Sequence, residues 1–428
     1  MHTAYKSDIL PGVTLTCINT DKFKTGCLSI NLISGLSRET AAMNALLPRV
    51  LRRGSAQYPD MERITAALDD SYGARVDTMI RKKGELHCAG LFIDFPDDRY
   101  LPPGESALDK TVALAGGLLL SPDLQEGGLL RSDYVASERS NLIDDIRAGI
   151  NDKRGYCLDR LIEEMCAGEP YAINRLGGEG EALEITPESL TAHYKNLFAN
   201  SRAEVFYCGS AEPQRVGSAL CSALRGLSFC GGVTAPKTEI ILHPAESSPR
   251  RFTEVLDIAQ GKLAVGFRLG KAMEEPNYPA LMILNAIYGG GASSKLFLNL
   301  REKLSLCYYA SSFIDKHKGV MIAASGVDFS NIGSALSELL KQLDQVKCGD
   351  VSDAELQTAR RTVITAVKSA YDRPGGLLEL YFDSSIAAFP YDPERLCEKV
   401  EAVGLDDIVE AASGVETDSI YVLRGHYV

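Results

Sequence analysis

A chain of 428 residues, 45% of them hydrophobic, is long enough for two or more domains with cores of their own. Its 57 acidic residues against 45 basic ones leave a formal charge of -12, which repels phosphate backbones and excludes nucleic acid as the main partner. The opening "MHTAYKSDILPG" lacks the basic start and apolar run of a signal peptide, and no segment approaches the roughly 18 uninterrupted apolar residues of a membrane span. The expectation is a soluble, cytoplasmic protein without a membrane partner.

In chain order the first half begins with two alternating strands, "GVTLTCI" and "CLSINLI". Two helices follow, at roughly 40–53 and 60–72, and then a strand pair around "RVDTMIRKKGELHCAGLFIDF". A helix starts near Asp109, and a longer one after "RSD" spaces Leu142, Ile143, Ile146 and Ile150 as one buried stripe. Thr186 caps a further helix that has Pro187 in its first turn, and the strand "AEVFYCG" closes the unit.

Residues 225–252 are rich in Gly, Pro and Ser and break all periodicity, as a linker does. Beyond them the plan repeats. "KLAVGFRLG" answers "CLSINLISG", and the closing helix "GLDDIVEAASG" with the strand "SIYVLRG" answers "TPESLTAHYKN" with "EVFYCG". This pattern predicts an α+β fold of two homologous domains, 1–224 and 253–428, each a mixed, mainly antiparallel β-sheet layered with helices.

Eleven cysteines lie singly, without any C-x-x-C, which fits reduced thiols filling small apolar gaps. The six histidines, at 2, 87, 193, 243, 317 and 426, include no pair at helical i, i+3 or i, i+4 spacing. Catalytic zinc sites draw two ligands from one short rigid segment, so the histidine spacing argues against a metal here. His87, on an alternating strand, reads as a hydrogen-bonded structural histidine. "YGGGASSK", residues 288–295, fails as a phosphate loop because Lys295 is followed by Leu296 rather than Ser or Thr. Its glycines allow either close approach of an extended peptide or a plain turn between two helices.

The run "SSKLFLNLREKLSLCYYASSF" resembles the second-half signature of the pitrilysin/insulinase superfamily of inverted zinc peptidases, particularly its mitochondrial processing peptidase branch. A Gly-rich segment there leads into S-x-L-F, then R-E, then Leu-x-Tyr. Here these are Ser294 to Phe297, Arg301 with Glu302, and Leu306 with Tyr308. The family's first half carries H-x-x-E-H on a helix ending in Gly and then Thr or Ser. Aligned on Gly54 and Ser55, the two histidine positions fall on Ala45 and Arg49, the Glu position on Pro48, and the remaining Glu ligand on Asp145 within "ERSNLIDDI".

The resemblance implies a degenerate zinc site. Alanine has no donor atom, arginine is a permanent cation and proline cannot serve as a base. Pro48 also implies a helix that begins late or kinks there, with Leu46, Leu47, Val50 and Leu51 facing the core.

Paired chains occur in this family, one with the zinc motif and the other with the Arg/Tyr pair, and this chain is similar to the second kind. The expectation is a silent subunit with no metal or cofactor of its own, zinc being held by a homologous partner, although a homodimer is equally open. Arg301, Tyr308 and the glycines 289–291 (Gly289, Gly290, Gly291) would face a peptide substrate. The competing readings are that Arg301 pairs with a nearby carboxylate while Tyr308 is half-buried, and that the protein is a peptide-binding scaffold with no role in hydrolysis.

Overall fold

The computed structural model describes residues 2–226, 237–271, 277–387 and 392–426. They form two compact units. The first holds residues 1–147, 173–237 and 370–385, and the second holds 148–172, 238–369 and 386–428.

The first unit is built on strands β1 (Thr3–Leu10), β2 (Val13–Asn19), β3 (Thr25–Gly35), β4 (Arg75–Lys83), β5 (Leu86–Pro96) and β6 (Arg202–Gly209), in the spatial order β1-β2-β6-β3-β5-β4. Only β2 and β6 run parallel. In the second unit β7 (Arg250–Val255), β8 (Gly261–Arg268), β9 (Cys307–Asp315), β10 (Val320–Val327) and β11 (Glu416–Arg424) take the order β7-β11-β8-β10-β9. Again only the first pair, β7 and β11, is parallel. Apart from the extra strand β1, order and direction repeat strand for strand. The duplication read in the sequence is thus a duplicated, mainly antiparallel sheet.

Helices α1 (Arg38–Leu51), α2 (Met61–Asp70), α3 (Ala107–Leu120), α4 (Ser132–Ala148), α5 (Lys153–Met165), α6 (Pro187–Asn200) and α7 (Pro213–Ala223) occupy the first half of the sequence. Leu28, Ile30 and Leu32 of β3, Leu91 and Ile93 of β5 and Val205 of β6 alternate onto one sheet face, where α1, α3, α6 and α7 cover them in a continuous core. Leu142 and Ile143 of α4 join that core, with Ile146 packed at its edge. Ile150, expected in the same stripe, lies beyond the helix in a turn begun by Gly149 and is 38% exposed. The N-cap of α6 is as expected: the Thr186 hydroxyl accepts from the Ser189 N–H.

The second half adds α8 (Asn277–Tyr288), α9 (Ile332–Lys347), α10 (Asp353–Ala370), α11 (Pro374–Ile386) and α12 (Leu405–Ser413). Two helices depart from chain order. α11 belongs to the first unit, where Phe382 packs edge-on against Phe206 at 5.4 Å and Glu379 pairs with Arg81 and Lys83. α5 belongs to the second unit, where Cys157 and Leu161 pack on Ala264, Ile322, Tyr421 and Leu423. Of the expected linker, residues 227–236 lie outside the described residues, and from Arg250 onward the chain is already strand β7.

Candidate functional site

Two sets of candidate residues lie in separate units. In the first unit α1 runs from Arg38 to Leu51 with Pro48 inside it. The expected late start is not observed. Pro48 sits in the last turn, where its missing N–H leaves only the Asn44 main-chain carbonyl without its helical donor, and the Pro48 carbonyl still accepts from Arg52 at 3.0 Å. Ala45 is 2% exposed, and Leu46, Leu47, Pro48, Val50 and Leu51 are buried with it. The helix therefore serves packing.

Arg49 and Asp145, the residues that the sequence resemblance sets at two ligand positions, meet as an ion pair with Nη1 and Oδ2 2.8 Å apart. One helical turn further on, Arg53 reaches Glu138 at 2.9 Å. One ion pair thus joins α1 to α4, and a second joins the turn just after α1 to the same helix. A guanidinium within hydrogen-bonding distance of the one available carboxylate occupies the lone pairs a metal would need and adds a repelling charge. A methyl group and a pyrrolidine ring contribute no donors. The residues present do not fit a zinc ion. Among the described residues no three His, Cys, Asp or Glu side chains gather elsewhere as a metal site.

Beside Ala45 lies a polar chain in which His87 is the hydrogen-bonded structural histidine expected, while its links to Asn44 and His193 were not foreseen. The Arg175 carbonyl can only accept, so His87 Nε2 donates to it at 2.9 Å, and in the neutral ring Nδ1 is left to accept from Asn44 Nδ2 at 3.0 Å. Asn44 Oδ1 then accepts from His193 Nε2 at 2.8 Å. All three side chains are buried, and burial pushes both imidazoles down to about 4. Two distant histidines do converge, bridged by an amide rather than a metal. The signal in the sequence was a single Asn within the apolar run "AAMNALL".

In the second unit, residues 297–303 wind as a π-helix, in which the Leu304 N–H bonds the Asn299 carbonyl five residues back at 3.1 Å. It packs against β9, which starts at Cys307, and Ser305 between them adopts φ 50. Arg301 projects from the wide turn with its side chain 46% exposed, its guanidinium stacked 4.7 Å from the Phe297 ring centroid and Nε 3.6 Å from Glu302 Oε1. Tyr308 is 61% exposed, and its hydroxyl donates to Asp328 Oδ1 at 3.2 Å. The carboxylate neighbour foreseen for Arg301 is present at the surface, whereas Tyr308 is not half-buried.

The glycines differ among themselves. A Cβ on Gly289 would stand 2.5 Å from the Ser312 backbone nitrogen, and the Gly289 carbonyl accepts from that N–H at 2.9 Å. A Cβ on Gly290 would stand 2.8 Å from the Ala286 Cα, whereas one on Gly291 would meet open space. Gly289 and Gly290 are therefore small because the chain folds back onto itself there.

Among the described residues no helix is long and apolar enough to cross a membrane.

Residues 184–363 match the family model described as the peptidase M16 inactive domain. Over 415 residues the chain is 32% identical to the probable inactive metalloprotease YmfF of Bacillus subtilis, covering 97% of this chain and 96% of that one. Among solved structures it is similar to a conserved protein from Enterococcus faecalis, with TM-score 0.90, 26% identity and 99% of each chain covered. It also matches the peptidase M16 inactive domain from Pseudomonas fluorescens, with TM-score 0.78, 15% identity and coverage of 100% of this chain and 99% of that one. The chain belongs to the peptidase M16 family, the pitrilysin-like group, and is a non-catalytic member of it.

Proposed function

We propose that this chain is the silent subunit of a zinc endopeptidase. It pairs with a homologous zinc-bearing subunit and presents Arg301 and Tyr308 to an extended peptide. The observation that carries the reading is the contrast between the two sites. Where the family holds its metal this chain has the Arg49–Asp145 ion pair, yet at the second signature it keeps a surface-exposed arginine and phenol.

The chemistry required of those two groups is modest. Arg301 supplies a fixed positive charge and paired N–H donors to a substrate carbonyl, and Phe297 beneath it limits the guanidinium's freedom. Tyr308 supplies an O–H donor toward an oxygen that gains negative charge during cleavage, exchanging its contact with Asp328 for one with the peptide. Zinc and its activated water belong to the partner.

Co-expression with an M16 homologue that carries H-x-x-E-H tests the reading. The expected result is one complex on size exclusion, with peptide cleavage that neither chain shows alone. Full activity of the zinc-bearing chain by itself, unchanged on adding this one, would favour a scaffold role instead.

A further inference from the structure

Among the described residues, β1 is an edge strand of the first unit's sheet. β1 is bonded to β2 alone, and every residue from Thr3 to Asp8 is exposed, so neither of its faces is covered along that stretch. Alternate N–H and C=O groups on its outer side are directed away from the sheet, which is the surface onto which another strand adds. Besides the charges of Lys6 and Asp8, the irregularity that blunts this edge lies at its far end. There the register shifts between Asp8 and Leu10, and the Ile9 carbonyl accepts from Cys221 Sγ at 3.1 Å.

The strand "TAYKSDIL" is complementary to itself. If two copies pair antiparallel about Ser7, Lys6 of each faces Asp8 of the other. Lys6 and Asp8 are two residues apart on the regular part of the strand and so share one face of it. The neighbouring two-fold registers are penalised. Centring on Lys6 sets lysine against lysine, and centring on Asp8 sets aspartate against aspartate. Thr14 donates to Asp8 Oδ1 at 2.8 Å and fixes that carboxylate on its face of the sheet.

We propose that the outer edge of β1 is a self-pairing interface through which two copies of this chain associate in an antiparallel manner, with reciprocal Lys6–Asp8 contacts. It does not depend on the function proposed above.

Sedimentation velocity over a concentration series tests it on the full chain. Wild type is expected to dimerise. Lys6→Asp and Asp8→Lys, each setting like charges face to face, are expected to weaken the dimer by about tenfold or more, and the double variant Lys6→Asp/Asp8→Lys to restore it. Far-UV circular dichroism and the thermal midpoint, expected to be unchanged at these exposed positions, separate weakened pairing from unfolding. A wild-type chain that stays monomeric at the highest concentration overturns the proposal. So does a dimer indifferent to the single changes, or a double variant that fails to recover.

Discussion

Arg49 and Asp145, the residues expected at two ligand positions, lie 2.8 Å apart on α1 and α4 and bind each other, with Arg53 just after α1 reaching Glu138 beside them. The Asp145 side chain is 56% exposed, and such a pair contributes about 0.5–1 kcal/mol. Asp145→Ala should therefore lower stability by no more than about 1 kcal/mol in urea unfolding. Zinc affinity should be negligible before and after the change, as read by metal analysis after dialysis. The four-fold replacement Ala45→His, Pro48→Glu, Arg49→His and Asp145→Glu should in turn gain zinc.

The Asn44 bridge should matter far more. Replacing it with Ala leaves two buried imidazoles without their amide, at a cost of about 2–4 kcal/mol. This is expected as a lower denaturation midpoint at neutral pH, with far-UV dichroism of the folded form retained.

Both imidazoles bind protons only near pH 4 in the folded chain, against 6.5 in the unfolded one. As pH falls from about 6.5 toward 4, the unfolded chain takes up protons that the folded chain refuses, so stability is present above 6.5 and lost on acidification. The expected loss is on the order of 3 kcal/mol for each ring across that window. Denaturation at a series of pH values reads it directly, and a flat profile between 6.5 and 5 would contradict the burial of the pair.

In the second unit Arg268, 2% exposed, bonds Asp418 at 3.0 Å and pairs with Glu169, which also binds Lys318 at 2.6 Å. Burial alone would raise the Asp418 carboxyl, but hydrogen bonds from Arg250, Ser419 and Arg268 outweigh it and hold that carboxyl below its ordinary range. Arg268→Met removes one partner from each of two buried carboxylates, leaving Asp418 to Arg250 and Ser419 and Glu169 to Lys318, and should cost about 1–3 kcal/mol in chemical denaturation.

The Gly-rich segment offers an internal comparison. Gly289→Ala drives a methyl group into the Ser312 backbone and should destabilise by about 1–3 kcal/mol, whereas Gly291→Ala meets nothing and should be close to neutral. Thermal midpoints of the two variants, measured side by side, decide it.

The duplicated sheet was legible because apolar and polar residues alternate visibly in strands such as "CLSINLI", although both faces of that strand are buried, and because each half closes with a helix and then a strand ending in glycine. β1 was missed because "TAYKSDIL" is exposed on both faces and alternates on neither. The placement of α5 and α11 was also missed, since chain order carries no information about which sheet a helix joins. Pro48 misled because a proline penalty is read as a helix break, yet in the last turn it removes only one bond. At the sites, side-chain types told what Ala45 and Arg49 cannot do. The partner each residue chose instead, Asp145 for Arg49 and His87 with His193 for Asn44, depends on contacts across 43 to 149 positions of sequence and is invisible in local pattern.

The central claim is that this chain acts on peptides only through Arg301 and Tyr308 in company with a zinc-bearing homologue. The most direct measurement is kcat/KM of the reconstituted pair with Arg301→Ala and Tyr308→Phe in this subunit. A fall of about a hundredfold or more, with complex formation intact, is predicted from the loss of charge and hydroxyl donors at the scissile group. An unchanged kcat/KM in an intact complex would contradict it.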